Sequence, residues 1–228
     1  MKIRKERVHS SKFRSVLKNY FSFYNKNLRK KHIIVYILSL FVFAVFMITF
    51  IKNLDQMNQL ISEINSTNVD SNIFMSIIKE KIPLIFLIIF SGITPLIYIP
   101  VIGIVGYPYI LSTQLMNMSV INMVLACVGS IVQIFGVSLA VAAGIYYCNC
   151  STKKFRYNQA ITFGMDDVKA QIYEATKKED KLNKLREKNQ IKIEKREKLN
   201  VKIEYKGLII SGIISILIVV VATLITGV

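Results

Sequence analysis

Three stretches of the chain, 33–51, 82–152 and 207–228, contain no Asp, Glu, Lys, Arg or His. They account for 112 of the 228 residues, so all 30 Lys/Arg and all 14 Asp/Glu fall in the other half. A soluble domain spreads charge over the outer face of every element, whereas apolar runs of this length without a single charge belong in hydrocarbon. The net charge of +16 beside 53% hydrophobic residues is thereby reconciled: the charge sits on separate, water-facing segments. This pattern excludes a soluble enzyme with one globular core. It also excludes a secreted disulfide scaffold, because the three cysteines lie in or beside apolar sequence. The expected fold is all-α, a polytopic integral membrane helix bundle.

About 20 apolar residues cross some 30 Å of hydrocarbon, so 33–51 and 207–227 are each one span. Segments 1–32 and 153–206 are strongly basic, and 52–81 is slightly acidic. The positive-inside rule then places the first two in the cytoplasm and the third outside. The stretch 82–152 must cross an odd number of times, and its length fits three crossings. We place these at 82–100, 102–120 and 123–147, with turns at Pro100-Val101-Ile102-Gly103 and around 117–122. The expectation is five spans with the N-terminus inside. An alternative makes 95–115, with Pro95, Pro100, Gly103, Gly106 and Pro108, a pair of re-entrant half-helices. Broken backbone at membrane depth has to line a cavity or be buried in protein.

The basic segment 1–32 carries Phe13, Val16, Leu17, Tyr20, Phe21 and Tyr24 at helical spacing among Lys and Arg, which suits a helix lying in an anionic headgroup layer. Ordinary positive-inside charge is the simpler reading and the preferred one. No nucleic-acid module is present, and nucleic acid is not expected as a partner. The external segment 52–81 has a helical stripe at Leu54, Met57, Leu60, Ile61 and Ile64. In 153–206, residues 165–189 read as a solvated helix, and 191–205 suits either a small hairpin or more helix.

No ionisable residue falls within the five expected spans, and both histidines precede the first. Intramembrane ionisable residues usually mark proton relays, ion paths or catalytic centres. Their absence argues against an intramembrane protease or a proton-coupled carrier, and we assign no catalytic residue, no metal site and no cofactor. The Cys148-Asn149-Cys150 pair falls short of a zinc ligand set. Polar span residues such as Ser91, Ser112, Thr113, Ser130, Gln133 and Ser138, and the small residues Gly129, Gly136, Ala140 and Gly144, read as helix-to-helix contacts. Gln133 is the polar position singled out.

Several motifs resemble the stage II sporulation protein M family. They are Ile73-Phe74 with Ile82-Pro83, the run Leu87 to Ile93, Pro100-Val101-Ile102-Gly103-Ile104-Val105-Gly106, Leu125 to Gly136, and Ala142-Ala143-Gly144. Glu80-Lys81 and Gln133 stand where the family pattern has an Asn and a Glu. The resemblance covers roughly 33–148 and the last span. It implies a non-enzymatic membrane scaffold that recruits or anchors partners such as peptidoglycan hydrolases. Other members of the family look like permease-type subunits driven by a separate ATPase, which is the alternative expectation. Expected partners are therefore membrane lipids and other membrane or membrane-associated proteins, with a homo-oligomer also open. The expected location is the cell membrane, and the abundance of Ile, Lys and Asn points to a Gram-positive bacterium.

Overall fold

The computed structural model describes residues 14–52, 77–93, 98–116, 120–175 and 201–226. Among these there is no strand, and the protein is an all-α helical bundle. The first helix, α1, runs from 14 to 52, with a π-helical turn at Tyr24–Leu28 leading into a regular helix at Arg29–Lys52. A second π turn, Ile77–Lys81, leads into α2 (Ile82–Phe90). Then come α3 (Tyr98–Met116), α4 (Val120–Ala175) and α5 (Tyr205–Thr226).

Among the described residues, four helices are long and apolar enough to cross a membrane: Arg14–Ile51, Ile99–Met116, Asn122–Phe155 and Tyr205–Thr226. They make a multi-pass membrane architecture, and their outward faces are apolar, as at Ile34, Phe41, Ile102, Val124, Leu217 and Ile225. The expected span 82–100 takes a different form. Its helix stops at Phe90, and with the π turn it covers only about 20 Å, yet it runs along α4 from Gln133, beside Lys81, to Tyr147, beside Gly92, so this short piece still carries the chain from one side of the bundle toward the other. The first turn accordingly lies at Ser91-Gly92-Ile93, held by Ser91 N–H donating to Leu87 O (3.0 Å) and Ile93 N–H to Phe90 O (3.0 Å). Pro100, Gly103, Gly106 and Pro108 lie inside one continuous helix, α3, so the expected turn at 100–103 and the half-helix alternative for this stretch are both corrected. The reason is positional: Pro100 falls in the first turn of α3, where a missing N–H costs no helical bond. α3 ends at Met116 and α4 begins at Val120; residues 117–119 of the second expected turn lie outside the described residues.

The centre of the bundle is α4, which packs against each of the other four helices, most extensively α5. Between Gly136 and Cys150 it is buried almost all round, and small side chains (Ala140, Ala142, Ala143, Gly144) allow that. Gly144 faces the carbonyl oxygen of Ile88, so any side chain there would run into α2's backbone; Gly129 meets Thr226 of α5 just as closely. These small steps are the contacts expected of them. The amphipathic start of α1 does not simply rest on lipid. Tyr20, Phe23 and Leu28 are buried against Leu139, Ala143, Tyr146, Cys150 and Leu208, while Val16 and Phe21 stay exposed.

Past the bundle, α4 continues to Ala175 as a helix of 56 residues, about 84 Å long against some 30 Å of hydrocarbon. The helix expected over 165–189 is therefore present up to Ala175. Residues 201–204 are neither helix nor strand. The external stripe Leu54 to Ile64, the hairpin alternative up to residue 200, and Pro95 lie outside the described residues.

Candidate functional site

The buried face of α2 is set by Ile85, Ile88 and Ile89, and helical spacing carries the same stripe back through Lys81 to Ile77. Lys81 is therefore not in solvent, as its place in the expected external segment implied; it is 5% exposed. Its ammonium donates to Gln133 Oε1 of α4 (3.1 Å) and to Thr223 Oγ1 of α5 (3.0 Å). Tyr107 of α3 donates its hydroxyl to the same Gln133 oxygen (2.7 Å). Four elements thus converge on one buried polar cluster.

The chemistry of the donors fixes the Gln133 amide. An ammonium facing it can only donate, so the atom between Lys81 and Tyr107 has to be the carbonyl oxygen, and it accepts two bonds. Gln133 is fully buried and Tyr107 nearly so, which makes these bonds costly to lose. In depth, Gln133 lies about 21 Å along α4 from Tyr147, and Thr223 about 27 Å along α5 from Tyr205. The rings of Tyr147 and Tyr205 meet at 5.9 Å and mark the end of the bundle expected to face the cytoplasm. The cluster therefore lies deep in the bundle, near the middle of α3 and of the uncharged part of α4 and close to the last turn of α5, with its charge turned inward.

A second cluster surrounds His32, which was expected to precede the first span in water and is 2% exposed. Its Nε2 lies 3.2 Å from the Phe135 carbonyl, which only accepts, so Nε2 carries the proton. Nδ1 then accepts from the Tyr24 hydroxyl at 2.9 Å, and the neutral ring satisfies both contacts. In a straight α-helix residues 24 and 32 would point about 80° apart. The π turn at Tyr24–Leu28 lies between them and shifts the register so that they meet.

Of the positions singled out in the sequence, Gln133 belongs to the first cluster. Pro100 is buried beside Gly144, and Gly103 packs against Ile88 and Val141, so both serve helix packing. A Cβ at Gly106 would make only ordinary contact with Ile102 (3.6 Å), and the Pro108 carbonyl accepts from Ser112 Oγ (2.7 Å). Most span hydroxyls bond back to their own helix, as Thr113 does to Ile110 O and Ser138 to Phe135 O, in place of the expected cross-helix contacts. Ser215 is an exception, donating across to Gly136 O at 2.6 Å. Sequence reasoning missed Lys81 and His32 because each charge was read as a span boundary. The helical stripe through Ile77, Lys81 and Ile85 was the signal that would have found the lysine.

No family model matches the chain, no curated protein matches it, and no solved structure matches its fold.

Proposed function

We propose that this protein is a non-enzymatic scaffold of the cell membrane, of the stage II sporulation protein M type, that recruits or anchors partner proteins such as cell-wall hydrolases. The observation that carries this reading is the Lys81–Gln133 hydrogen bond. The two places where the resemblance puts polar residues meet in the interior, and with Tyr107 and Thr223 they tie four elements together. That use of polar atoms favours a fixed framework over a path. The helical extension of α4 beyond the bundle supplies a surface for partners on the side expected to be cytoplasmic.

The test is purification of the full chain from native membranes in mild detergent after cross-linking. A stable partner, a peptidoglycan hydrolase above all, is the expected result, and a protein that isolates alone refutes the scaffold. A permease-type subunit driven by a separate ATPase is the second reading, favoured by the buried ammonium of Lys81. On that reading an ATPase co-purifies, and Lys81→Met abolishes transport; on the scaffold reading Lys81→Met leaves partner capture intact.

A further inference from the structure

Where α1 docks beside the start of α5, a cleft of about 780 Å³ opens, lined on one wall by Asn19, Tyr20, Phe23 and Lys26 and on the other by residues 202–207 and Ile210. Its volume lies within the range of about 300–1,000 Å³ typical of small-molecule sites. The rim carries three cations, Lys26, Lys202 and Lys206, against one carboxylate, Glu204, and all four are exposed. The inner part is apolar: Tyr20 and Phe23 are buried, and Ile210 is partly so. The cleft also has a defined height. It sits at the first turn of α5, where charged sequence gives way to the uncharged run starting at Gly207. That is the layer in which phosphates meet acyl chains.

We propose that this cleft binds an anionic glycerophospholipid, with its phosphate among Lys26, Lys202 and Lys206 and the start of an acyl chain against Phe23 and Ile210. Three points favour this occupant over a soluble anion. The cationic rim matches a phosphate. The apolar inner wall would gain nothing from a free inorganic ion. The position at the end of a span puts the site within reach of lipid at all times. A basic residue near an anionic leaflet contributes about 1 kcal/mol of attraction, so three act together as a selective rim. The proposal is independent of the scaffold reading, since the cleft shares no residue with the Lys81 cluster.

Native mass spectrometry of the full chain, titrated in detergent with phosphatidylglycerol or phosphatidylcholine, tests it. Phosphatidylglycerol is expected to stay bound where phosphatidylcholine does not. The triple variant Lys26→Gln, Lys202→Gln, Lys206→Gln should weaken retention by on the order of tenfold or more. Asn19→Trp should fill the cleft and weaken retention without changing net charge. A charge-matched control, Lys30→Gln, Lys153→Gln, Lys154→Gln, removes exposed lysines elsewhere and should keep the lipid. Equal loss in the control means general electrostatic attraction and overturns the site. Equal retention of the two lipids overturns it as well, as does full retention by Asn19→Trp and the cleft triple variant, or displacement of the lipid by inorganic phosphate alone.

Discussion

Replacing Gln133 by Leu is the sharpest probe of the buried cluster, because Leu keeps the volume and removes one acceptor that two donors share. A buried donor deprived of its partner costs about 1–3 kcal/mol, and more when it is charged. The Lys81 ammonium and the Tyr107 hydroxyl together make the expected loss about 3 kcal/mol. Lys81→Met removes the charge and its desolvation cost together, so that variant should remain within about 1 kcal/mol of the parent. Adding Gln133→Leu to it breaks the Tyr107 bond without unpairing an ammonium, for about 1 kcal/mol. The coupling between positions 81 and 133 should therefore be about 2 kcal/mol.

The chain has 11 Tyr and no Trp, so unfolding in mixed detergent micelles is best followed by far-ultraviolet circular dichroism. Four proteins are compared: the parent, the two single variants and the double variant. Interhelical hydrogen bonds in membrane proteins average about 0.6 kcal/mol, because groups that lose one partner often find another. A coupling at or below that average refutes the reasoning. It would mean that the ammonium finds another partner or water once Gln133 is gone. It would equally mean that the cluster does not hold the bundle together.

Three further outcomes are expected. Gly144→Val pushes a side chain into the Ile88 carbonyl and should cost about 1–3 kcal/mol or more, whereas Gly106→Ala, whose Cβ would only touch Ile102 at ordinary contact distance, should be neutral or slightly stabilising in the same unfolding measurement. Tyr24→Phe removes the hydroxyl that donates to His32 and should cost about 1 kcal/mol, while His32→Leu strips a partner from both Tyr24 and the Phe135 carbonyl and should cost more; the reverse order would assign the histidine no role in the turn. Reporter fusions should find residue 65 outside and residue 180 inside the cell, and the opposite result would reverse the orientation drawn from the charges.

The helices were legible in the sequence because each long uncharged run has the length and hydropathy of a span. What misled was punctuation. Pro100 and Gly103 look like a break, yet Pro is at home in a helix's first turn and Gly103 makes room for Ile88 and Val141. The turn at Ser91 to Ile93 depends on Gly92 fitting against the ring of Tyr147, a residue far along the chain. The candidate site was half legible. Gln133 stood out as a polar residue deep in apolar sequence, but its partners Lys81 and Tyr107 lie 52 and 26 residues away on other helices, and no local pattern pairs them.

The reason a lysine belongs there follows from the length of α2. Between helices in lipid there is no hydrophobic driving force, so association rests on close packing and hydrogen bonds. A full-length span gathers many such contacts, whereas α2 has nine residues and buries only Ile85, Ile88 and Ile89 from its own length. At one end it is held by shape, with Ile88 against Gly144 and Gly92 against Tyr147. At the other end the stripe runs out at Lys81, and a methylene chain with a charged tip reaches α4 and α5 where a short apolar side chain would stop. An ammonium bonded to a specific amide also penalises every alternative register, since any shift of α2 leaves the charge buried without that acceptor. The charge that looked like the end of a span is thus the anchor that fixes where the short helix sits.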